Sequence, residues 1–357
     1  MKQGYGKLGD FVRQVDDRNK KLITKNVLGI NIDKYFMPSV ANVIGTDLSK
    51  YKLISKNRFA CNPMHVGRDE RLPIALYTAE EPSIVSPAYF MFEIIDTGTL
   101  NPDYLMMWFR RPEFDRECWY YTDGSVRGGI TWDDLCRLEL PIPPMDKQLE
   151  IVKRYRNIEK RIELKKKIND NLDVTVQAIY QDFFTNNPDK GSWKQGVVGD
   201  ILQLQRGHDL PRTQMLGGEY PVAGSTGTIG YHNQYTAIAP VIVMGRSGNI
   251  GNPRLYLCNC WTHNTSLYVK QIFNADALWA FYLLKNLDYE GFVGGSAVPT
   301  LNRNDVHAFG ITIPPLYLQQ LFSQKAIRLI VEKENNLIEI TKLENLKGTV
   351  LATISSR

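Results

Sequence analysis

Cys258, Cys260 and His263 form the one group in this sequence with the soft donors and close spacing that hold zinc, Cys-x-Cys-x-x-His. Three donors with no second pair nearby leave a tetrahedral ion incomplete, so the spacing reads as a strand edge rather than a metal site. A phosphate cradle of the form Gly-x-x-x-x-Gly-Lys-Ser/Thr is absent. The runs Gly224-x-x-Gly227-x-x-Gly230 and Gly245-x-x-Gly248-x-x-Gly251 have the spacing of tight turns rather than of a dinucleotide loop. Asn62-Pro63 is followed by Met64-His65, where a base-methylating site needs a second proline and a stacking ring. Pro102-Asp103 meets no Glu-x-Lys before Glu163-Leu164-Lys165, so a metal-dependent nuclease cluster does not assemble. The five histidines stand beside no evident nucleophile and read as loop or packed residues. Arg68 and Arg127, and further along Arg206, Arg246 and Asn249, lie in turn-like segments with neither helical nor strand phase. Arginine and asparagine are side chains that pair with base edges through two hydrogen bonds. A plain surface arginine or turn asparagine is the competing reading of each.

Residues of that kind need a scaffold, and composition allows one. The chain has 357 residues, 43% of them hydrophobic and 23% charged, enough for two domains with proper cores. Its start, Met1-Lys2-Gln3-Gly4-Tyr5-Gly6-Lys7, has no apolar run resembling a signal peptide, and no stretch approaches the ~18 apolar residues of a membrane span, so a cytosolic chain is expected. Five cysteines scattered through apolar segments read as packed, reduced thiols. A net charge of +5 is compatible with nucleic acid without demanding it; a DNA-binding chain of this charge would lean on companion subunits for part of its electrostatic grip.

Laid over itself, the sequence contains two copies of one pattern. Ser125-Val126-Arg127-Gly128-Gly129-Ile130-Thr131-Trp132-Asp133-Asp134-Leu135, leading into Leu140-Pro141-Ile142-Pro143-Pro144, recurs 171 residues later as Ser296-Ala297-Val298-Pro299-Thr300-Leu301-Asn302-Arg303-Asn304-Asp305-Val306, leading into Ile311-Thr312-Ile313-Pro314-Pro315. The openings Leu8-Gly9-Asp10-Phe11 and Val198-Gly199-Asp200-Ile201 match at an offset of 190, so the second copy is 19 residues shorter inside. Matching ends around differing middles predict one frame carrying two sets of surface loops. Within the copies, Val241–Met244 and Leu255–Leu257 read as buried strands, and Ala277–Leu284 as a helix whose counterpart is Tyr104–Phe109. Asn101-Pro102-Asp103 aligns with Asn274-Ala275-Asp276 ahead of those helices.

After each Pro-Pro the apolar period becomes three and four. Ile151, Tyr155, Ile158 and Ile162, then Leu172, Val176, Ile179 and Phe183, form one stripe. Ile327, Ile330, Leu337, Ile340, Leu343, Leu346, Val350 and Ile354 form the other. Helices of roughly 35 to 40 residues span roughly 50 to 60 Å and need a partner, which each finds in the other as a coiled coil. Lys165, Lys166 and Lys167 sit among alternating acids and read as a solvated face, with a phosphate grip as the rival reading.

At these junctions the sequence resembles the specificity subunit of Type I restriction-modification systems. The residues that carry the resemblance are Leu140–Pro144 with Gln148, Ile311–Pro315 with Gln319-Gln320, and Gly295-Ser296-Ala297-Val298-Pro299-Thr300-Leu301 ahead of the second junction. Gln205-Arg206-Gly207, Ala223-Gly224-Ser225-Thr226-Gly227 and Gly245-Arg246-Ser247-Gly248 are similar to that family's glycine loops; the first copy departs, with Arg127-Gly128-Gly129-Ile130-Thr131 in place of the proline version. The resemblance implies an α+β chain of two mixed α/β target-recognition domains, 1–143 and 187–314. These are separated by two long helices, 144–186 and 315–357, packed as an antiparallel coiled coil. It further implies double-stranded DNA as ligand and two modification (methyltransferase) subunits and restriction subunits as partners, with no cofactor, metal, membrane or catalysis of the chain's own. Two heads on a rod of that length would read two short words about 10 base pairs apart, and no more than roughly 15 to 18. The rival functions are a single-chain methyltransferase or nuclease with unfamiliar motifs, and a coiled-coil adaptor that binds no DNA.

Overall fold

A computed structural model describes residues 4–40, 45–64, 66–122, 128–215, 217–289, 293–294 and 300–354. It resolves into two units, one of Met1–Leu164 with Glu339–Arg357 and one of Lys165–Ile338. The first unit closes on itself where Tyr5–Lys7 pairs antiparallel with Glu139–Pro141. Between those ends lies an antiparallel sheet in the order Val12–Gln14, Phe90–Ile94, Arg58–Cys61, Ile74–Leu76. A second sheet runs Phe36–Pro38, Val27–Ile30, Ser83–Val85, Lys52–Ile54 and includes one parallel pair.

The helix Pro102–Phe109 is apolar around its whole circumference from Tyr104 to Phe109, and all six of those residues are buried, as a helix with no polar face must be. Asn101 starts it by accepting the N–H groups of Asp103 and Tyr104, and proline fills the first turn, where a missing N–H costs nothing. Phe59 stacks on Phe92 at 5.1 Å, and Phe109 and Phe114 close the same cluster. Each such ring contributes about 1.5–3 kcal/mol by leaving water.

The second unit repeats this plan with different loops. Lys194–Val197 pairs with Gly310–Ile313, and a four-stranded antiparallel sheet runs Leu202–Arg206, Ser266–Ile272, Val241–Gly245, Gly251–Tyr256. The smaller sheet, Gly227–His232, Tyr220–Gly224, Trp261–Thr262, again holds one parallel pair.

Equivalent hydrogen bonds trace the shared frame. Leu8 donates to Leu138 O at 2.8 Å as Val198 does to Phe309 O at 3.0 Å, and Ile95 donates to Phe11 O at 2.9 Å as Phe273 does to Ile201 O at 2.7 Å. Buried Gln148 accepts the Asn101 N–H at 2.9 Å and donates to Thr99 O at 2.9 Å and Pro143 O at 2.8 Å. Buried Gln319, 171 positions on, accepts the Asp276 N–H at 2.8 Å and donates to Pro314 O at 2.8 Å. Asp276 in turn caps the helix Ala277–Lys285 through Leu278 and Trp279. The helix-capping residues therefore correspond as Asn101 and Asp276, two positions away from the alignment expected from sequence, because the capping oxygen fixes the start of the helix and the flanking polar residues do not.

The long helices are Met145–Tyr180 and Leu316–Thr353, about 54 and 57 Å at 1.5 Å per residue. They pack antiparallel, with residues of each helix in both units. In the first unit Ile158 and Ile162 meet Leu343, with Arg161 paired to Glu339 beside them. In the second, buried Asn336 donates to Asn169 at 2.9 Å and accepts from Lys165 at 2.7 Å, and Lys333 pairs with Asp173 at 2.6 Å. The buried seam includes Gln148, Val152, Tyr155, Ile158, Ile162, Asn169, Val176 and Tyr180, at the intervals of three, four and seven that keep one edge facing a partner. Val152 and Tyr180 replace the expected Ile151 and Ile179 on that seam. On the second helix Phe322, Ala326, Asn336 and Leu351 are buried, whereas Ile327, Leu337 and Leu346 are exposed. Among the described residues no helix is long and apolar enough to cross a membrane.

Candidate nucleic-acid interface

In the second unit the strand Ser266–Ile272 is flanked by Leu202–Arg206 on one side and Val241–Gly245 on the other. Arg206 and Met244 both stand opposite Leu267, and Gly245 opposite Ser266. The turns after Arg206 and after Gly245 thus leave the sheet at the same end, on either side of the turn that enters Ser266. Neighbouring strands lie about 4.8 Å apart, which places the Arg206 and Arg246 backbones within roughly 10 to 12 Å of each other.

Backbone bonds weld these turns together. Gly207 donates to Ser266 O at 3.1 Å and His208 to Thr262 O at 2.7 Å, while Arg246 and Ser247 both donate to Thr265 O, at 3.0 and 3.3 Å. The hairpin turn Gly224–Gly227 joins them, with Ser225 N–H on Thr265 Oγ1 at 3.3 Å and His263 N–H on Ala223 O at 2.9 Å. Two glycines permit this closeness. A Cβ added to Gly207 would lie 2.1 Å from His263 O, and one added to Gly245 would lie 1.5 Å from Asn249 O, far inside van der Waals contact in either case.

The expected site residues take distinct places in this cluster. Arg206 is exposed at the end of its strand and Arg246 is half-buried in the next turn; among the described residues neither guanidinium is taken up by a carboxylate or carbonyl. Free arginines on a rigid turn cluster present five N–H donors in a fork that matches a guanine edge or a phosphate. Asn249 uses its amide differently, donating to Ser225 O at 3.3 Å and accepting from Asn252 at 2.8 Å, so it fixes one turn on another. Arg254, not singled out from sequence, is exposed with its guanidinium over Gly227, whose added Cβ would lie 2.6 Å from Nη1. A lone arginine inside a strand pattern gives no sequence signal of such a position.

In the first unit the helix Val66–Asp69, carrying Arg68, follows Arg58–Cys61 as the Arg246 turn follows Val241–Gly245. Ile130 donates to Pro63 O at 3.2 Å as Leu301 does to Arg246 O at 2.8 Å, so the same connection is pinned from the same side. Arg127 lies outside the described residues. Where the second unit has Gln205 and Arg206, the first has Val15, bonded to Met91 O at 2.8 Å, and Asp16, followed by Asp17. A compensated row crosses that sheet: Glu93 lies 2.7 Å from Arg13 and 3.1 Å from Arg58, which also reaches Asp17 at 2.6 Å. The hydrogen bond from Arg13, then that from Arg58, holds the Glu93 carboxyl below the usual range against partial burial.

The Cys258, Cys260 and His263 group does not converge on a common point. Cys258 is exposed, Cys260 is buried with its thiol pushed up to about 12, and the His263 ring nitrogens face Thr265 Oγ1 at 3.0 Å and Leu210 O at 3.3 Å.

Comparison with known proteins agrees with this picture. The family model described as Type I restriction modification DNA specificity domain matches twice, over residues 6–174 and 190–347. The Type-I restriction-modification system S subunit from M. genitalium superposes with a TM-score of 0.63 at 14% identity, covering 98% of this chain and 95% of that one. A chain from a structure concerned with complex assembly and conformational transition of the type I R-M system superposes with a TM-score of 0.50 at 15% identity, covering 98% and 96%. No curated protein matches the sequence.

Proposed function

The chain belongs to the Type I restriction modification DNA specificity family, matching it twice along most of its length, and from that premise we propose that this DNA specificity subunit reads a split, asymmetric duplex target. Each repeat is one target-recognition domain, 1–143 and 187–314, and the helices of 144–186 and 315–357 join them. The observation that carries the reading is one hydrogen-bonded frame built twice with two unrelated sets of loops, since a shared frame with different loops is how one fold reads two words. Arg206 and Arg246 in the second domain, with Asn249 holding their turns, and Arg68 and Arg127 in the first, contact base edges or phosphates.

On this reading the chain performs no chemistry itself and acts in the cytoplasm. Two modification subunits bring methyl transfer, and restriction subunits bring cleavage. Their docking surface is on the long helices, where Leu149 and Leu164 in the first unit and Ile168 in the second remain exposed. Apolar side chains on a solvent face are what a protein partner covers. Methylation mapping of cells with and without the gene tests the proposal. It should reveal one motif of two unlike words separated by an unread gap; an unchanged methylation pattern overturns it.

A further inference from the structure

His307 lies at the end of the short helix Arg303–His307, and its Nε2 stands 2.8 Å from the backbone nitrogen of Leu204. A backbone N–H can only donate, so Nε2 is the acceptor and the ring is neutral, with its proton on Nδ1. The bond seals a weak place in the sheet. Leu202–Arg206 is an edge strand, and its pairing with Ser266–Ile272 jumps from Gln203 opposite Gln271 to Leu204 opposite Val269, leaving Lys270 as a bulge. Directly beyond the bulge come Gln205 and Arg206. Six residues before His307, Leu301 donates to Arg246 O at 2.8 Å. One segment, Leu301–His307, therefore fastens both the strand that ends in Arg206 and the turn that holds Arg246.

We propose that His307 is a positioning residue of the second recognition domain, a proton-sensitive latch whose neutral ring holds the Arg206 strand in place for DNA. The proposal rests on the reading of Arg206 as a DNA contact. A protonated imidazole carries two N–H donors and no acceptor, so it turns a donor toward the Leu204 N–H and the edge loses its seal at the bulge. Burial, then the charge of Arg303, hold the His307 pKa below its ordinary 6.5. The elements packed against this helix are Leu202–Arg206 and Val198–Asp200. Their ionisable groups are Arg206 and Asp200, whose carboxylate accepts the Val197 N–H at 2.9 Å, and the helix itself adds Arg303 and Asp305.

Among the described residues the first domain has no such device. Cys136 occupies the matching position, 171 residues earlier: a Cβ added to Gly9 would lie 2.9 Å from Cys136 Cβ, and one added to the matching Gly199 would lie 3.5 Å from His307 Cβ. Burial raises the Cys136 thiol pKa, so nothing there changes charge in mild acid. Acid should thus loosen the grip on one word of the target and spare the other.

The test uses the full chain, wild type and His307→Gln, whose amide oxygen still accepts a hydrogen bond but does not titrate. Amide exchange of the segment 202–210 is compared between the two proteins at about pH 7.5 and about pH 5.5. Fluorescence anisotropy then follows binding of a duplex carrying the methylation-mapped motif, at fixed ionic strength. The latch predicts faster exchange in the wild type alone at the lower pH, and a loss of affinity about three- to ten-fold larger in the wild type than in His307→Gln, the range of one net hydrogen bond. Equal exchange and equal loss of affinity in both proteins overturn the latch. Failure of the wild type to bind the mapped duplex at the higher pH overturns the DNA reading instead, and the exchange comparison then decides the latch alone.

Discussion

Replacing Gln148 by leucine measures what joins the first domain to its helix. The side chain is fully buried and makes three hydrogen bonds, accepting from Asn101 and donating to Thr99 and Pro143. Leucine fills nearly the same volume and makes none of them. At about 1 kcal/mol per lost bond the expected cost is about 3 kcal/mol. Thr99 is exposed, so water takes over its carbonyl and lowers the figure toward about 2 kcal/mol. Gln319 makes two such bonds, and Gln319→Leu should cost about 2 kcal/mol. Gln148→Glu keeps the acceptor for Asn101 but aims a carboxylate at two carbonyl oxygens, so it should be worse than leucine at neutral pH. Urea and thermal unfolding followed by tryptophan fluorescence read these costs. For a unit of this size Gln148→Leu should lower the first transition by roughly 4 to 12 °C. A shift below about 1 °C, or a glutamate variant milder than leucine, would refute the clamp.

Four further outcomes are expected. Inserting four residues in register into both long helices adds about 6 Å to each and should lengthen the unread gap of the methylated motif by about two base pairs; an unchanged gap removes the ruler. Arg206→Ala and Arg246→Ala should each cost about 1–3 kcal/mol of target binding and relax the methylated motif in one word only, as sequencing of modified DNA would show. Gly245→Ala forces a Cβ onto Asn249 O and should abolish second-word recognition while the first domain unfolds as in the wild type. Asn336→Leu removes the donor to Asn169 Oδ1 and one acceptor of the Lys165 ammonium and should destabilise by about 2 kcal/mol, whereas Asn169→Leu with Asn336→Leu should regain stability but sediment as more than one oligomer, because the polar pair that fixes helix register is gone.

The frame was legible because its fixed points are local in sequence. Pro-Pro, the glutamine after it and the Leu-Gly-Asp or Val-Gly-Asp opening each do one backbone job, and each recurs at a constant offset. The seam of the long helices was read one residue off at Val152 and Tyr180, since isoleucine is more apolar than either and period alone cannot choose between adjacent rows. Asn336 and Asn169 escaped notice because a buried amide pair has the same letters as a solvated one. The candidate site was half visible. Glycine runs marked the turns, but the convergence of Arg206 with Arg246 depends on strand order, and the role of His307 depends on a bulge that no residue type announces. The compensated Arg13, Glu93 and Arg58 row was likewise invisible, its members lying 45 and 35 positions apart.

The second unit is a single uninterrupted stretch, Lys165–Ile338, whereas the first is assembled from two. Both borders fall inside long helices rather than in loops. A genetic exchange with crossovers near codons 165 and 338 would therefore transplant a whole recognition module, with its helical stems already matched, and leave the recipient's other module untouched. On the proposed reading of a split target, new pairs of words are then within reach of recombination, without any single residue having to change.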